Sequence, residues 1–175
     1  MNKGLIAGGL GLAILFQIGV LAVEYLAAVY PLWSGKPVKL ATLPVDPRSL
    51  FRGNYARLRY GISTIPAAEL DDARGIRNDE VIYVRLKKAD DDIYGFAGAS
   101  LERPNSGLFI RGRAIRSVAG DGAQLGVRYG IEAWFAPKNK AQQLERDLRQ
   151  GAVAVVMIAE NGRATLASIE PDPQR

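Results

Sequence analysis

The sequence predicts an α+β protein: one N-terminal transmembrane helix followed by a mostly antiparallel β-sheet or partial barrel with one amphipathic helix. Three observations carry that prediction. Residues 4–23 contain no charged side chain and one polar one, Gln17. Downstream, runs of alternating apolar and polar residues are punctuated by Asp-Asp-Asp, Gly-Asp-Gly and Asn-Gly, the pattern of successive hairpins. The segment from Pro137 to Leu148 places its apolar residues at helical spacing.

At about 1.5 Å per helical residue, the apolar segment covers roughly 30 Å, the thickness of a bilayer's hydrocarbon core. It is apolar all round, whereas a core helix needs a polar face. It is also longer than a signal-peptide core, and the best cleavage site, Leu26-Ala27-Ala28, puts leucine at a position that needs a small residue. Residues 1–30 are therefore read as a retained anchor. Tyr25, Tyr30 and Trp33 suit the headgroup layer, where an apolar ring with a polar tip is favoured. Glu24 falls at the edge of the core, where a charge costs less than at the centre. The spacings Gly4-Gly8 and Ala7-Gly11 are read as the ordinary glycine content of a membrane helix. Pro31 is expected to stop the helix. Residues 31–37 then form a juxtamembrane linker, 38–170 a soluble domain and 171–175 a frayed tail. Long domains translocate largely regardless of flanking charge, so the domain is expected outside and the short tail inside.

Val38–Thr42 reads as the first strand. Pro44-Val45-Asp46-Pro47 is a stiff corner, because two prolines fix φ and restrict their neighbours. Arg48–Arg52 is expected to make one helical turn, Asn54–Ile62 a strand, and the stretch to Asn78 a polar loop. Glu80–Lys88 alternates most clearly, with Ile82, Val84 and Leu86 on one face. Asp90-Asp91-Asp92 turns it into Ile93–Ala99; a calcium loop would need aspartates at alternate positions followed by glycine. Gly120-Asp121-Gly122 joins Leu108–Val118 to Ala123–Glu132, where Leu125, Val127, Tyr129 and Ile131 share a face. Pro137 suits a first helical turn, Ala141, Leu144 and Leu148 form the apolar stripe, and Gly151 ends it. Asn161-Gly162 joins Ala152–Glu160 to Arg163–Ile169. About eight strands follow.

Composition excludes much chemistry. The chain has no cysteine and no histidine. Thiolate nucleophiles, zinc–thiolate sites and every mechanism with a histidine base are therefore absent, and no metal or cofactor is expected. The net charge is +5. The basic residues are scattered, which argues against nucleic acid. The densest group, Arg111, Arg113 and Arg116, alternates with other residues and is read as a solvated strand face.

One stretch is unusually dense: Val45-Asp46-Pro47-Arg48, then Phe51-Arg52-Gly53-Asn54-Tyr55-Ala56-Arg57-Leu58-Arg59-Tyr60. Its end resembles the family named for its own motif, Gly-Asp-Tyr-x-x-Leu-x-Tyr, the GDYXXLXY family. The layout is similar too, with Tyr129-Gly130-Ile131-Glu132 preceding Phe135 and Pro137. The resemblance implies a membrane-anchored protein of the bacterial inner membrane, its soluble domain on the periplasmic or outer face. It also implies genes placed beside those of multi-pass membrane proteins. The motif's aspartate is Asn54 here, and an asparagine cannot ionise, which counts against acid–base chemistry at that position.

Two accounts of the motif stand side by side. In one, Gly53 permits a sharp turn, Leu58 and Tyr60 share a strand face, and Arg48 and Arg52 hold a proline-rich corner against the sheet. In the other, Asp46, Arg48, Arg52, Asn54 and Tyr55 form a polar loop facing Tyr129 and Glu132, suited to an anionic group. The expected function is a non-catalytic accessory or binding domain at the lipid bilayer surface, with a multi-pass membrane protein as partner. The alternative is an envelope enzyme, or a binder of an anionic small ligand, using Asp46, Arg52, Tyr55 and Glu132. Tyr60 and Lys138 are further acid–base candidates. Asp46 and Glu132 are the carboxylate pair whose separation would matter for hydrolysis.

Overall fold

A computed structural model describes residues 3–43, 55–70, 76–89, 92–115, 124–135 and 151–172. Helix α1 spans Lys3–Ser34, and its stretch Ile6–Ser34 is long and apolar enough to cross a membrane. Its large apolar side chains, from Ile6 to Val23, are exposed, with no protein covering them. The helix passes through Pro31, where the sequence predicts a stop. A proline lacks the N–H that would bond the carbonyl one turn back and weakens that turn. Here the turn is held from outside: Pro31 is buried, and the Thr165 hydroxyl donates to the Ala28 carbonyl at 3.3 Å. The Ser34 hydroxyl also donates to the Tyr30 carbonyl at 3.0 Å.

Only Gly35 separates α1 from strand β1, Lys36–Ala41, so the segment expected as a linker is helix, one glycine and strand. The Gly35 N–H donates to the Pro31 carbonyl at 2.9 Å. A Cβ at residue 35 would collide with that carbonyl oxygen and lie 3.0 Å from the Ile158 nitrogen. Backbone meets backbone here, and only glycine fits without movement.

The remaining strands are β2 (Tyr55–Arg57), β3 (Thr64–Pro66), β4 (Val81–Lys88), β5 (Tyr94–Ser100), β6 (Phe109–Ile115), β7 (Gln124–Arg128), β8 (Ala133–Phe135), β9 (Ala152–Ile158) and β10 (Ala164–Pro171). Three antiparallel sheets form, ordered β1-β9-β10, β2-β8 and β3-β7-β6-β4-β5. Parallel bridging of Lys39 with Ile93 joins the first sheet to the third, and the Arg111 N–H donates to the Gly162 carbonyl at 2.8 Å on the other side. The result is a nearly closed barrel-like wall, and the fold is α+β.

The clearest patterns in the sequence reappear as strands. Ile82, Val84 and Leu86 of β4 are buried, as are Leu125, Val127, Tyr129 and Ile131. Asn161-Gly162 does join β9 to β10, and of these two residues it is Gly162 that takes a positive φ, +78°. The short strands β3 and β8 were not expected; the first falls within the predicted polar loop. The expected corner at 44–47, the turn at 48–52, the Gly120-Asp121-Gly122 turn and the amphipathic helix all lie outside the described residues. The core runs from Val38 and Leu40 through Tyr60, Ile65, Ile82 and Ile110 to Val156, all at most 1% exposed.

Candidate functional site

Two tyrosines hold the motif strand. Tyr60 is fully buried, and its hydroxyl donates to the Ile131 carbonyl at 2.5 Å. Tyr129 answers in reverse: its hydroxyl donates to the Ile62 carbonyl at 2.6 Å. The Leu58 N–H donates to the Glu132 carbonyl at 2.8 Å. Residues 58–62 and 129–132 are thus tied together at three points. Burial pushes both tyrosine hydroxyls well above their ordinary range, and the charge of Glu132 adds to the effect. Neither is poised to give up a proton near neutral pH.

The Glu132 carboxylate accepts the backbone N–H groups of Tyr129 and Gly130, at 2.5 and 2.9 Å. It fastens a tight turn in which Gly130 has φ +84°. Of the sequence candidates, the structure therefore brings Leu58, Tyr60, Tyr129 and Glu132 together, in packing and hydrogen bonding. Tyr55 enters β2, its backbone opposite Phe135. Asp46, Arg48, Arg52, Gly53, Asn54 and Lys138 lie outside the described residues, and with Asp46 the carboxylate pair.

Beside this lock, a groove of about 820 Å³ opens between the end of α1 and the sheets. Ala27, Ala28 and Pro31 form one wall; Tyr129, Gly130, Ile131 and Trp134 form another. Four arginines line it, Arg111, Arg113, Arg128 and Arg163, and no acidic residue does among those described.

The strand register assembles them. Residues 111 and 113 of β6 point the same way because strand side chains alternate. Arg113 lies directly opposite Arg128 of β7. Gly112, between the two β6 arginines, leaves room for the Tyr129 ring; a Cβ there would lie 2.9 Å from it. The hydrogen bond from Arg111 to Gly162 draws the β9–β10 turn against β6 and brings Arg163 to the rim.

Like charges directly opposite each other across a sheet are unfavourable. One acid relieves part of this: the Asp79 carboxylate pairs with Arg128 at 2.7 Å, and its carbonyl accepts Arg113 at 2.7 Å. The guanidinium groups of Arg111 and Arg163 have no hydrogen-bond or ion-pair partner among the described residues. A concave, single-signed surface of this kind concentrates field and favours an anion. Guanidinium forks match carboxylate and phosphate oxygens two at a time. The sequence shows Arg111 and Arg113 as a solvated face. It does not show that Arg128, Arg163 and a helix wall stand around them.

A family model described as GDYXXLXY protein matches residues 17–169. No curated protein and no solved structure matches the chain. The chain belongs to the GDYXXLXY family.

Proposed function

We propose that this member of the GDYXXLXY family is a non-catalytic binding domain, anchored in a membrane by α1, that receives an anionic group in its arginine-lined groove and works beside a multi-pass membrane partner. The bacterial inner membrane, with the domain on the periplasmic face, is the proposed location. The observation that carries the reading is the placing of four arginines in a groove walled by the end of a membrane-length helix. The non-catalytic part is supported by how the motif's ionisable groups are used. Glu132 is occupied by backbone amides, and Tyr60 and Tyr129 hold their protons in buried hydrogen bonds. The chain's lack of histidine and cysteine points the same way.

The test is what stays with the protein. The full-length, tagged chain is purified in mild detergent from its own host and analysed by mass spectrometry. A stoichiometric multi-pass protein and a bound anionic group are expected with the wild type. Arg52→Ala is expected to lose the protein partner. The double variant Arg111→Gln/Arg163→Gln is expected to lose the bound anion while keeping its fold. A folded wild-type chain that carries neither would contradict the proposal.

A further inference from the structure

The geometry points to the phosphate of an anionic membrane lipid as the group the groove receives. This rests on the anion-binding reading above and adds the chemical class. Depth is the first argument. If residues 4–23 fill the hydrocarbon core, Ala27 and Ala28 lie four and five residues beyond it, roughly 6–8 Å further along the helix. The headgroup layer occupies about 5–8 Å on each side of the core, so the groove wall stands where lipid phosphates are. Tyr25, exposed on α1 between the core and Ala27, has the amphipathic ring favoured at that interface.

Rigidity is the second argument. The one-residue junction at Gly35 and the hydrogen bond from Thr165 to the Ala28 carbonyl fix the sheet to this part of the helix. The groove cannot drift far from the level that the helix sets. The third argument is chemical. Arg111 and Arg163 present guanidinium groups, while Ala27, Ala28, Leu166 and Trp134 supply apolar surface to the same cavity. A phosphodiester on a glycerol backbone, with acyl chains leading away along α1, matches both halves. A soluble phosphate would use the arginines alone.

The experiment uses full-length protein, delipidated in a neutral detergent and titrated with short-chain phosphatidylglycerol, short-chain phosphatidylcholine or glycerol phosphate, with Trp fluorescence and native mass spectrometry as readouts. Phosphatidylglycerol is expected to bind at least about 10-fold more tightly than either other probe, and Arg111→Gln/Arg163→Gln to weaken it by about 10-fold per guanidinium removed. Lys87→Gln, an exposed charge on β4, is expected to leave binding unchanged. Glycerol phosphate binding as tightly as the lipid, with the same arginine dependence, would overturn the lipid assignment and leave the anion site standing. Loss of the multi-pass partner in the double variant, with no phosphate probe bound by the wild type, would assign the groove to an acidic loop and equally overturn the lipid. No anion bound and no partner lost would remove the anion site itself.

Discussion

Replacing Tyr60 with alanine is expected to remove about 3–5 kcal/mol of stability. That is a large share of the roughly 5–15 kcal/mol that holds a typical domain. The ring is fully buried at the centre of the core, so its loss leaves a cavity as well as an unpaired Ile131 carbonyl. Tyr60→Phe isolates the second effect and is expected to cost about 1–3 kcal/mol, the penalty for a buried group left unsatisfied. Tyr129→Phe should cost a similar amount, through the Ile62 carbonyl. The two bonds join the same pair of segments in opposite directions, so the double variant should depart from additivity. Urea unfolding in mild detergent, followed by tryptophan fluorescence, measures all four. An unchanged midpoint in Tyr60→Phe would contradict the lock.

The same pair sets an alkaline limit. In the unfolded chain each phenol ionises near its ordinary value of about 10. In the folded chain burial, reinforced by Glu132, holds both hydroxyls protonated to higher pH. Above pH 10 the unfolded state releases protons that the folded state keeps, so stability is level below that pH and falls above it. The Tyr60→Phe/Tyr129→Phe variant should show a shallower fall. An equal slope in both proteins would contradict the assignment.

Gly35→Ala is expected to destabilise the junction by about 1–3 kcal/mol, the usual cost of forcing atoms into a packed site. The added Cβ meets the Pro31 carbonyl on one side and the Ile158 backbone on the other, and neither is a side chain that can rotate away. Relief requires the helix end to separate from β9. Hydrogen exchange at Lys36 and Ile158 should therefore speed up more than exchange in β4 or β6. Uniform protection across the sheet would show that the junction tolerates a side chain and that the helix is not rigidly coupled to the domain.

How far the sequence reveals this molecule depends on what each element needs. The apolar helix and the β9–β10 hairpin rest on local signals, a long uncharged run and an Asn-Gly turn, and both are present. Strand β4 is legible because alternation over eight residues leaves little choice of face. Strands β3 and β8 have three residues each, too few for a period to register, whereas β2 lies inside the strand predicted at 54–62, which in the structure ends at Arg57 and gives way to a 3-10 turn at Gly61–Ser63. Pro31 reads as a stop because its local effect is to break a turn; the partners that hold the turn, Thr165 among them, come from far along the chain. The groove is hidden for a similar reason. Alternation shows that Arg111 and Arg113 share a face, but only the β6–β7 register sets Arg128 opposite, and only the contact between Gly162 and Arg111 brings Arg163 near. Tyr129 and Glu132 stand out in the sequence as part of a motif. Their use in a backbone lock depends on atoms that the motif does not name.

The most direct measurement is arginine-selective dicarbonyl labelling, read residue by residue by mass spectrometry, in native membranes and again after stripping the lipid with detergent. If the groove holds an anion at the membrane surface, Arg111 and Arg163 will label slowly in membranes and several-fold faster once stripped, while exposed Arg57 on β2 keeps the same rate in both states. Equal rates for Arg111 and Arg163 before and after stripping would contradict the account.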